Sequence, residues 1–362
     1  MSTSRNTVIV GTGSYIPSKT VKNSDFLSHE FYNPNGNTFD KSNHEITQKL
    51  KQITDISERR YVTDDLVASD MAYFAAKEAL ESSDIDKESL DYIIVAHNFG
   101  DIKADNRRSD FVPALASRVK HKLGIKNSST IPYDIAFGCP AWLEGVIQAN
   151  YYLKSGDASR ALIIGADTLS RIADPHDRDC MIYSDGAGAT IIEAVESEEP
   201  AGILSHVVRN DSIEQAYMLR MANSFNPNYD GNELYIKMDG HKLYQYALRH
   251  VPGVVKESIE KAGLDITDIS KILIHQANAK MDEAIIKRTF GLYNIKPADI
   301  PEGVMPMTIS WLGNSSVATV PTLLDLIEKG KLENHTLNSS DYIIMASVGA
   351  GMNINSVVYK VP

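Results

Sequence analysis

Along the chain, segments with the hydrophobic pattern of a buried strand alternate with segments that have the pattern of an amphipathic helix. Short apolar runs at 92–97, 161–165, 271–275 and 342–345 predict buried strands, and amphipathic stretches such as 71–83 predict helices packed against them. Strand and helix signals alternate from one end of the chain to the other. This order is typical of an α/β protein whose central strands are mainly parallel.

The second half of the chain repeats the order of the first half. A strand ends at His97 in the first half and another ends at His275 in the second, each after a helical stretch. Cys139 then precedes one amphipathic helix, and Asn314 precedes its counterpart. Because both the order and the spacing recur over several elements, we interpret the chain as a duplication.

The boundary between the two halves is predicted at the polar, acidic, proline-containing stretch 197–200. The halves are then residues 1–197 and 198–362. Ligand sites in open α/β sheets form outside the carboxyl ends of the strands. A two-fold arrangement of such halves would therefore bring these strand ends together at one cleft.

Cys139 has the local sequence expected of a reactive thiol. The turn Gly138-Cys139-Pro140 leads from a strand directly into a helix, and Pro140 suits the first helical position. Free N–H groups and the helix dipole favour a thiolate at such a helix start. The alternative is a packed thiol, since free cysteine is often buried. Cys180 lacks this setting and is interpreted as a packed thiol.

Composition excludes several classes of function. The 362 residues are 43% hydrophobic and 23% charged, which is ordinary for a globular protein, and the net charge of −11 argues against general nucleic-acid binding. No CxxC or HExxH spacing indicates a metal site. The chain shows no targeting segment and no apolar run near the ~20 residues needed for a membrane span. We therefore predict a cytoplasmic protein that does not span a membrane.

Five short motifs occur in order around the cysteine turn, and together they resemble one family. They are Gly11-Thr12-Gly13-Ser14-Tyr15-Ile16-Pro17, Asp185-Gly186-Ala187-Gly188-Ala189, His275-Gln276-Ala277-Asn278, Gly313-Asn314-Ser315-Ser316 and Gly349-Ala350-Gly351. With the turn, they resemble the β-ketoacyl-acyl-carrier-protein synthase III family of the thiolase-like superfamily, over nearly the whole chain. The resemblance implies a five-layered αβαβα fold of two duplicated halves and a homodimer.

The resemblance also implies a reaction and its residues. Cys139, His275 and Asn314 would form a catalytic triad, in which Cys139 holds an acyl group taken from a coenzyme A or carrier-protein thioester. A malonyl-acyl-carrier protein would lose carbon dioxide, and its carbanion would attack that acyl group to give a 3-oxoacyl-carrier protein, initiating fatty acid synthesis. The backbone N–H groups of Cys139 and Ala350 would form the oxyanion hole. No metal or redox cofactor is implied.

Further residues are assigned to substrate handling by the same resemblance. The acyl pocket would include Leu169, Tyr183, Ile236 and Met238. Arg178 matches an arginine that contacts the coenzyme A nucleotide, and His241 replaces a family asparagine. Basic residues that share one face of a helix would dock the acidic carrier protein: Lys280, Lys287 and Arg288.

Three departures from the family leave the primer open. The Trp and Arg that relatives use to clamp coenzyme A are missing from the segment 48–60, the polar stretch 31–37 resembles an insertion, and the loop 98–108 is longer than its counterpart. One alternative is a synthase III-like enzyme of secondary metabolism. It would join two β-ketoacyl units, as dialkylresorcinol-forming enzymes do, or acylate another nucleophile. A further alternative is an inactive binding subunit that keeps the fold.

Overall fold

The structure, a computed structural model, describes residues 4–362, which contain fifteen strands and nine α-helices. The strands of the first half are β1 (Ser4–Tyr15), β2 (Lys19–Lys22), β3 (Glu58–Tyr61), β4 (Tyr92–Ala96), β5 (Asp101–Lys103), β6 (Asn106–Asp110), β7 (Ile131–Ile135), β8 (Arg160–Thr168) and β9 (Asp185–Ser197). Those of the second half are β10 (Gly202–Asn210), β11 (Leu219–Ala222), β12 (Tyr235–Met238), β13 (Ile269–Ile274), β14 (Tyr342–Gly349) and β15 (Asn353–Lys360). The helices are α1 (Asn43–Thr54), α2 (Ala68–Ser83), α3 (Leu115–Leu123), α4 (Ala141–Ser155), α5 (Ser212–Gln215), α6 (Gly240–Lys261), α7 (Ala279–Gly291), α8 (Ile309–Leu312) and α9 (Thr319–Glu328).

Two main sheets have matching strand orders. The first runs β1-β9-β8-β4-β7, and the second runs β10-β15-β14-β13. Strands β10, β15, β14 and β13 thus occupy the places of β1, β9, β8 and β4. At the place of β7, the second sheet has an irregular segment whose Val304 carbonyl accepts a hydrogen bond from the Ile272 N–H (2.7 Å). This correspondence is what a duplicated chain would produce.

The prediction of mainly parallel strands was wrong. In the two main sheets, as described for residues 4–362, β4 pairs in parallel with β7 and β8, and β13 pairs in parallel with β14. Strands β9 and β15 run antiparallel to both of their neighbours. The connection from β14 to β15 is only a short 3₁₀ turn, which is too short for a parallel crossover. Hydrophobic periodicity locates strands, but it does not give their directions.

Helices complete five layers, which confirms the αβαβα prediction. Helices α4 and α9 pack between the two sheets, α2 and α3 cover the outer face of the first sheet, and α6 and α7 cover that of the second. The middle layer is almost entirely apolar, with Trp142 and Leu323 fully buried between the sheets. Gly145 lets α4 approach the first sheet, since a Cβ there would lie 2.9 Å from the Ile163 side chain.

Irregular segments cover the sheet ends where β7, β4 and β13 finish. The hairpin of β5 and β6 is held by Arg118, which contacts the carboxylates of Asp101 and Asp110 at 2.7 Å each. An apolar cluster from both halves fills the same end of the molecule and includes Leu169, Tyr183 and Ile309. Within residues 4–362, no helix is long and apolar enough to cross a bilayer.

Candidate active site

One cavity of about 600 Å³ lies at this end of the molecule, and Cys139, His275 and Asn314 all line it. Cys139 comes from the turn between β7 and α4, and His275 follows the last residue of β13. Asn314 lies two residues after α8. The structure therefore brings together three side chains that are far apart in the sequence.

The turn that carries Cys139 is tight. Gly138 adopts a left-handed conformation (φ 68°), and its carbonyl accepts a hydrogen bond from the Ala141 N–H (3.0 Å). Helix α4 begins at Ala141, with Pro140 as its N-cap, so the helix starts one residue later than predicted. Glycine suits position 138 because other residues rarely adopt such a φ.

The sulfur of Cys139 ends a chain of polar contacts. Ser316 Oγ donates to Cys139 Sγ (3.3 Å), and Asn98 Nδ2 donates to Ser316 Oγ (3.1 Å) and to the Asp167 carboxylate (2.6 Å). Burial and, to a smaller extent, the Asp167 charge raise the pKa of the Cys139 thiol to about 11, although the Ser316 hydrogen bond lowers it. The predicted resting thiolate was wrong, because desolvation outweighs the helix start.

His275 is electrically neutral in this cavity. Its side chain is buried, and burial lowers the imidazole pKa to about 4, although a hydrogen bond with the Ser316 backbone raises it. At physiological pH the ring therefore carries one N–H group and one acceptor nitrogen. Among the described residues, Nδ1 has no hydrogen-bond partner. The backbone is fixed by the His275 N–H, which donates to the Ala346 carbonyl (2.9 Å).

Asn314 lines the cavity, and both its backbone and its side-chain oxygen are held by hydrogen bonds. The backbone N–H of Asn314 donates to the Ile182 carbonyl (3.0 Å), and the backbone carbonyl of Asn314 accepts from the Ser184 N–H (2.8 Å). The side-chain Oδ1 accepts from the Ser316 N–H (2.8 Å). Because the oxygen is occupied, the amide nitrogen is the group left to donate to a ligand.

The loop of Ala350 touches the cysteine turn through its backbone. A Cβ on Gly349 would lie 2.5 Å from the Cys139 nitrogen, and one on Gly138 would lie 2.7 Å from the Ala350 nitrogen. Asn353 Nδ2 ties the two segments, since it donates to the carbonyls of Ala350 (2.9 Å) and Phe137 (3.4 Å). Two backbone N–H groups are thereby held close together at the edge of the cavity.

The rest of the cavity wall is apolar. The four predicted pocket residues, Leu169, Tyr183, Ile236 and Met238, all line it. Sequence reasoning missed a second set that the structure adds: Phe99, Leu219, Leu243, Met281 and Val348. Leu219 lies at the start of the β11–β12 hairpin, and Met281 lies on α7. Nothing in the local sequence of this set indicates which way the side chains face.

Arg178 and His241 lie outside this cavity, in a larger outer groove. The groove borders the cavity, since the two share the lining residues Met238, Leu243, Ala277 and Met281. The Arg178 guanidinium lies over the Phe39 ring (5.1 Å), and His241 is exposed and hydrogen-bonded to Gln245 (3.0 Å). Helix α1, which includes Lys49, forms part of the groove wall.

The three predicted docking residues lie on the exposed face of α7. Lys280, Lys287 and Arg288 are all solvent-exposed. Lys287 also contacts the carboxylate of Glu283 (3.4 Å), and Arg288 Nη1 donates to the Leu248 carbonyl of α6 (2.9 Å). The face is therefore basic, but two of its cations already have partners within the chain.

The fold and the cavity define a class of protein. Two duplicated halves in five αβαβα layers, with a cysteine at the first-half turn facing a histidine and an asparagine of the second half, are typical of thiolase-like acyl-condensing enzymes.

Comparison with known proteins identifies the family. A model described as 3-oxoacyl-[acyl-carrier-protein] synthase III matches residues 133–212, and the model of its C-terminal part matches residues 259–361. The β-ketoacyl-[acyl-carrier-protein] synthase III of Alkalilimnicola ehrlichii is 30% identical over 357 residues, covering 97% of this chain and 98% of that protein. This chain belongs to the synthase III family, whose members are acyl-condensing acyltransferases.

Solved structures agree in fold. The crystal structure of 3-oxoacyl-[acyl-carrier-protein] synthase III from Aquifex aeolicus has a TM-score of 0.79 at 28% identity, covering 98% of this chain and 100% of that chain. OleA from Xanthomonas campestris has a TM-score of 0.75 at 19% identity, covering 99% of each chain, which shows a shared fold alone. The enzyme class of this chain is thus that of the synthase III family.

Proposed function

We propose that this enzyme condenses an acyl group held on Cys139 with the carbanion formed when malonyl-acyl-carrier protein loses carbon dioxide. The product is a 3-oxoacyl-carrier protein, made at the start of fatty acid synthesis. The observation that carries the proposal is the shared cavity of Cys139, His275 and Asn314, with Ala350 packed against the cysteine turn. The reaction class is supported by the relatives from Alkalilimnicola ehrlichii and Aquifex aeolicus, both of which are named as synthase III enzymes.

In the first step, Cys139 Sγ attacks the thioester carbon of the primer. The new bond joins the sulfur to the acyl carbon, the old carbon–sulfur bond breaks, and the cysteine proton leaves with the departing thiol. Because the thiol pKa is about 11, the cysteine is protonated before attack. The Ser316 hydroxyl at 3.3 Å stabilises the negative charge that develops on the sulfur.

In the second step, the bond between the malonyl carboxylate carbon and its neighbour breaks. Carbon dioxide leaves, and the electron pair passes to the thioester oxygen as an enolate. The neutral His275 ring and the Asn314 amide supply two donors for that oxygen. Such preorganised donors contribute about 2.7–4 kcal/mol each where they have been deleted. An imidazole with a pKa near 4 stays neutral and so can donate without gaining a charge.

In the third step, the enolate carbon attacks the acyl carbon on Cys139. The tetrahedral oxygen is stabilised by the backbone N–H groups of Cys139 and Ala350, and the carbon–sulfur bond then breaks to release the thiolate. Asn353 holds the two segments in register. The sequence of steps is thiol and acid–base chemistry and calls for no metal or redox cofactor.

Carrier-protein binding is proposed at the exposed face of α7. Lys280, Lys287 and Arg288 offer positive charge to an acidic carrier protein, which accelerates association even for a protein of negative net charge. The outer groove, with Arg178 and His241 in its wall, would take the carrier's thioester arm or a coenzyme A. We also propose a homodimer.

A second candidate is a synthase III-like enzyme of secondary metabolism, which the added β5–β6 hairpin favours. Asn98 and Phe99 at its base line the cavity, so the longer loop changes the space around the acyl group. Such an enzyme would join two β-ketoacyl units or acylate another nucleophile after the same loading of Cys139.

Mass spectrometry of the intact protein after incubation with acyl-coenzyme A and acyl-carrier-protein thioesters tests the proposal. We expect one acyl adduct that is lost in Cys139→Ala and kept in Cys180→Ala, since Cys180 is buried away from the cavity. No adduct with any donor would instead indicate a binding subunit. Malonyl-acyl-carrier protein is then added. A simple 3-oxoacyl product supports the proposed condensation, and a cyclised or doubly acylated product supports the secondary-metabolism enzyme.

A further inference from the structure

Tyr183 lines the acyl cavity and carries a buried hydroxyl. The residue follows a 3₁₀ turn (Arg178–Ile182), its surface is 4% exposed, and it lines the cavity. A backbone bridge pairs Tyr183 with Asn314, so the phenol belongs to the segment beside the reacting groups. Among the described residues, the Tyr183 hydroxyl has no hydrogen-bond partner.

Two other buried tyrosines have partners, and Tyr293, whose hydroxyl also lacks one among the described residues, does not line the cavity. Tyr246 donates to the Asp211 carboxylate (2.8 Å), and the Tyr359 hydroxyl accepts from the Ile9 N–H (2.8 Å). Buried polar groups are normally satisfied, because an unpaired one loses its hydration without compensation. An unpaired phenol on a residue of the apolar part of the cavity wall therefore points to an acceptor that arrives with the ligand.

We infer that the primer of this enzyme carries a carbonyl or hydroxyl oxygen on its acyl chain, and that the Tyr183 hydroxyl recognises this oxygen. The inference rests on the proposed function, since it concerns the acyl group that Cys139 accepts. The recognised primers are 3-oxoacyl or hydroxyacyl groups. A plain saturated chain would leave the phenol unpaired.

The phenol acts as the donor. Burial raises the pKa of Tyr183 well above its usual value, so the hydroxyl keeps its proton throughout the working range. The surrounding wall of Leu169, Ile236 and Met238 offers carbon atoms to the remainder of the chain. A site with one buried donor in an apolar wall discriminates against analogues that lack the acceptor.

The test compares acylation rates of Cys139 with thioesters matched in chain length: saturated, 3-oxo, 3-hydroxy and 5-oxo. We expect the wild type to favour at least one oxygenated primer over the saturated primer by about tenfold, which corresponds to one satisfied buried hydroxyl. In Tyr183→Phe, which removes only the hydroxyl, this ratio should fall to near one. Tyr217→Phe is the matched control, since the Tyr217 side chain is exposed and does not line the cavity, and it should keep the wild-type ratio.

The outcomes separate the inference from the proposal on which it rests. Equal rates for all primers in the wild type would overturn the inference, whether or not Tyr183→Phe folds. An oxygenated preference that survives intact in Tyr183→Phe would also overturn it. Absence of any adduct would overturn the proposed function together with the inference. The 3-oxo and 3-hydroxy arms distinguish a carbonyl from a hydroxyl as the recognised group.

Discussion

The hydrogen bond from Ser316 to the Cys139 sulfur should control how reactive that thiol is. Ser316 Oγ lies 3.3 Å from Cys139 Sγ and opposes the rise in thiol pKa that burial causes. Substituting Ser316→Ala removes the donor and leaves the rest of the cavity wall in place. We therefore expect the pKa of Cys139 to rise above its value of about 11.

The size of the effect follows from the charge on the acceptor. A hydrogen bond to an ionised group stabilises it by about 1.5–3 kcal/mol, and the neutral thiol receives a weaker one. The Ser316 hydrogen bond therefore favours the thiolate over the thiol by about 1.5 kcal/mol. One pKa unit corresponds to about 1.4 kcal/mol, which gives a shift of about one unit. At pH values below the pKa, the thiolate fraction falls about tenfold, while each remaining thiolate becomes about threefold more nucleophilic. The net alkylation rate should fall about threefold.

The assay is the rate of iodoacetamide alkylation of Cys139, followed by intact-protein mass spectrometry between pH 6 and 11. The wild-type rate should rise about tenfold per pH unit up to a pKa of about 11, and the Ser316→Ala profile should be displaced to higher pH. Ser315→Ala is the control, since Ser315 Oγ bonds to Thr319 (3.3 Å) and not to the sulfur. Ser316→Gly, which suits the positive φ of 54°, should give the same displacement. A midpoint at or below that of the wild type would refute the reasoning.

Three further predictions follow from the contacts. Gly349→Ala should abolish acyl transfer, since the new Cβ would lie 2.5 Å from the Cys139 nitrogen; unchanged kcat would contradict this. Asn353→Ala should lower kcat about tenfold with little change in KM, because it removes the hydrogen bond to the Ala350 carbonyl and Asn353 does not line the cavity. A change confined to KM would contradict this prediction. Burial raises the pKa of Asp185 to about 6, so its contribution to stability is complete below about pH 4 and is lost as pH rises through 6. Thermal unfolding should accordingly show Asp185→Asn to be more destabilising at pH 4 than at pH 7.

The duplicated fold could be predicted because it depends on the order of elements. The strands ending beside His97 and His275, and the turns at Cys139 and Asn314, recur at similar spacing, and the two sheets confirm this correspondence. Strand direction could not be predicted in the same way. Strands β9 and β15 are buried on both faces, as parallel strands usually are, so their hydrophobic patterns gave no sign of their antiparallel orientation.

Sequence motifs predicted the side chains that carry the chemistry but not the environment that sets their charge. The structure places Cys139 in the expected turn, yet the thiolate prediction failed because burial and the Asp167 charge raise the thiol pKa. The Ser316 hydrogen bond lowers that pKa, and Asn98 donates to both Asp167 and Ser316. These residues come from three separate segments, and their convergence is a property of the tertiary structure. The catalytic roles of Cys139, His275 and Asn314 remain predictions, which the adduct experiment tests.

The histidines at equivalent positions of the two halves show how one duplicated element acquired two uses. His97 has both ring nitrogens occupied: Nδ1 accepts from the Gly100 N–H (3.0 Å), which leaves Nε2 to donate to the Asp134 carboxylate (2.9 Å). His97 thereby fixes the start of the β5–β6 hairpin, and it does not line the cavity. His275 follows an equivalent strand, lines the cavity, and retains a ring nitrogen with no partner among the described residues. Their equivalent positions in the fold place both imidazole rings at the same end of their sheets. The hydrogen-bond partners of each ring then determine whether it supports a loop or can contact a substrate.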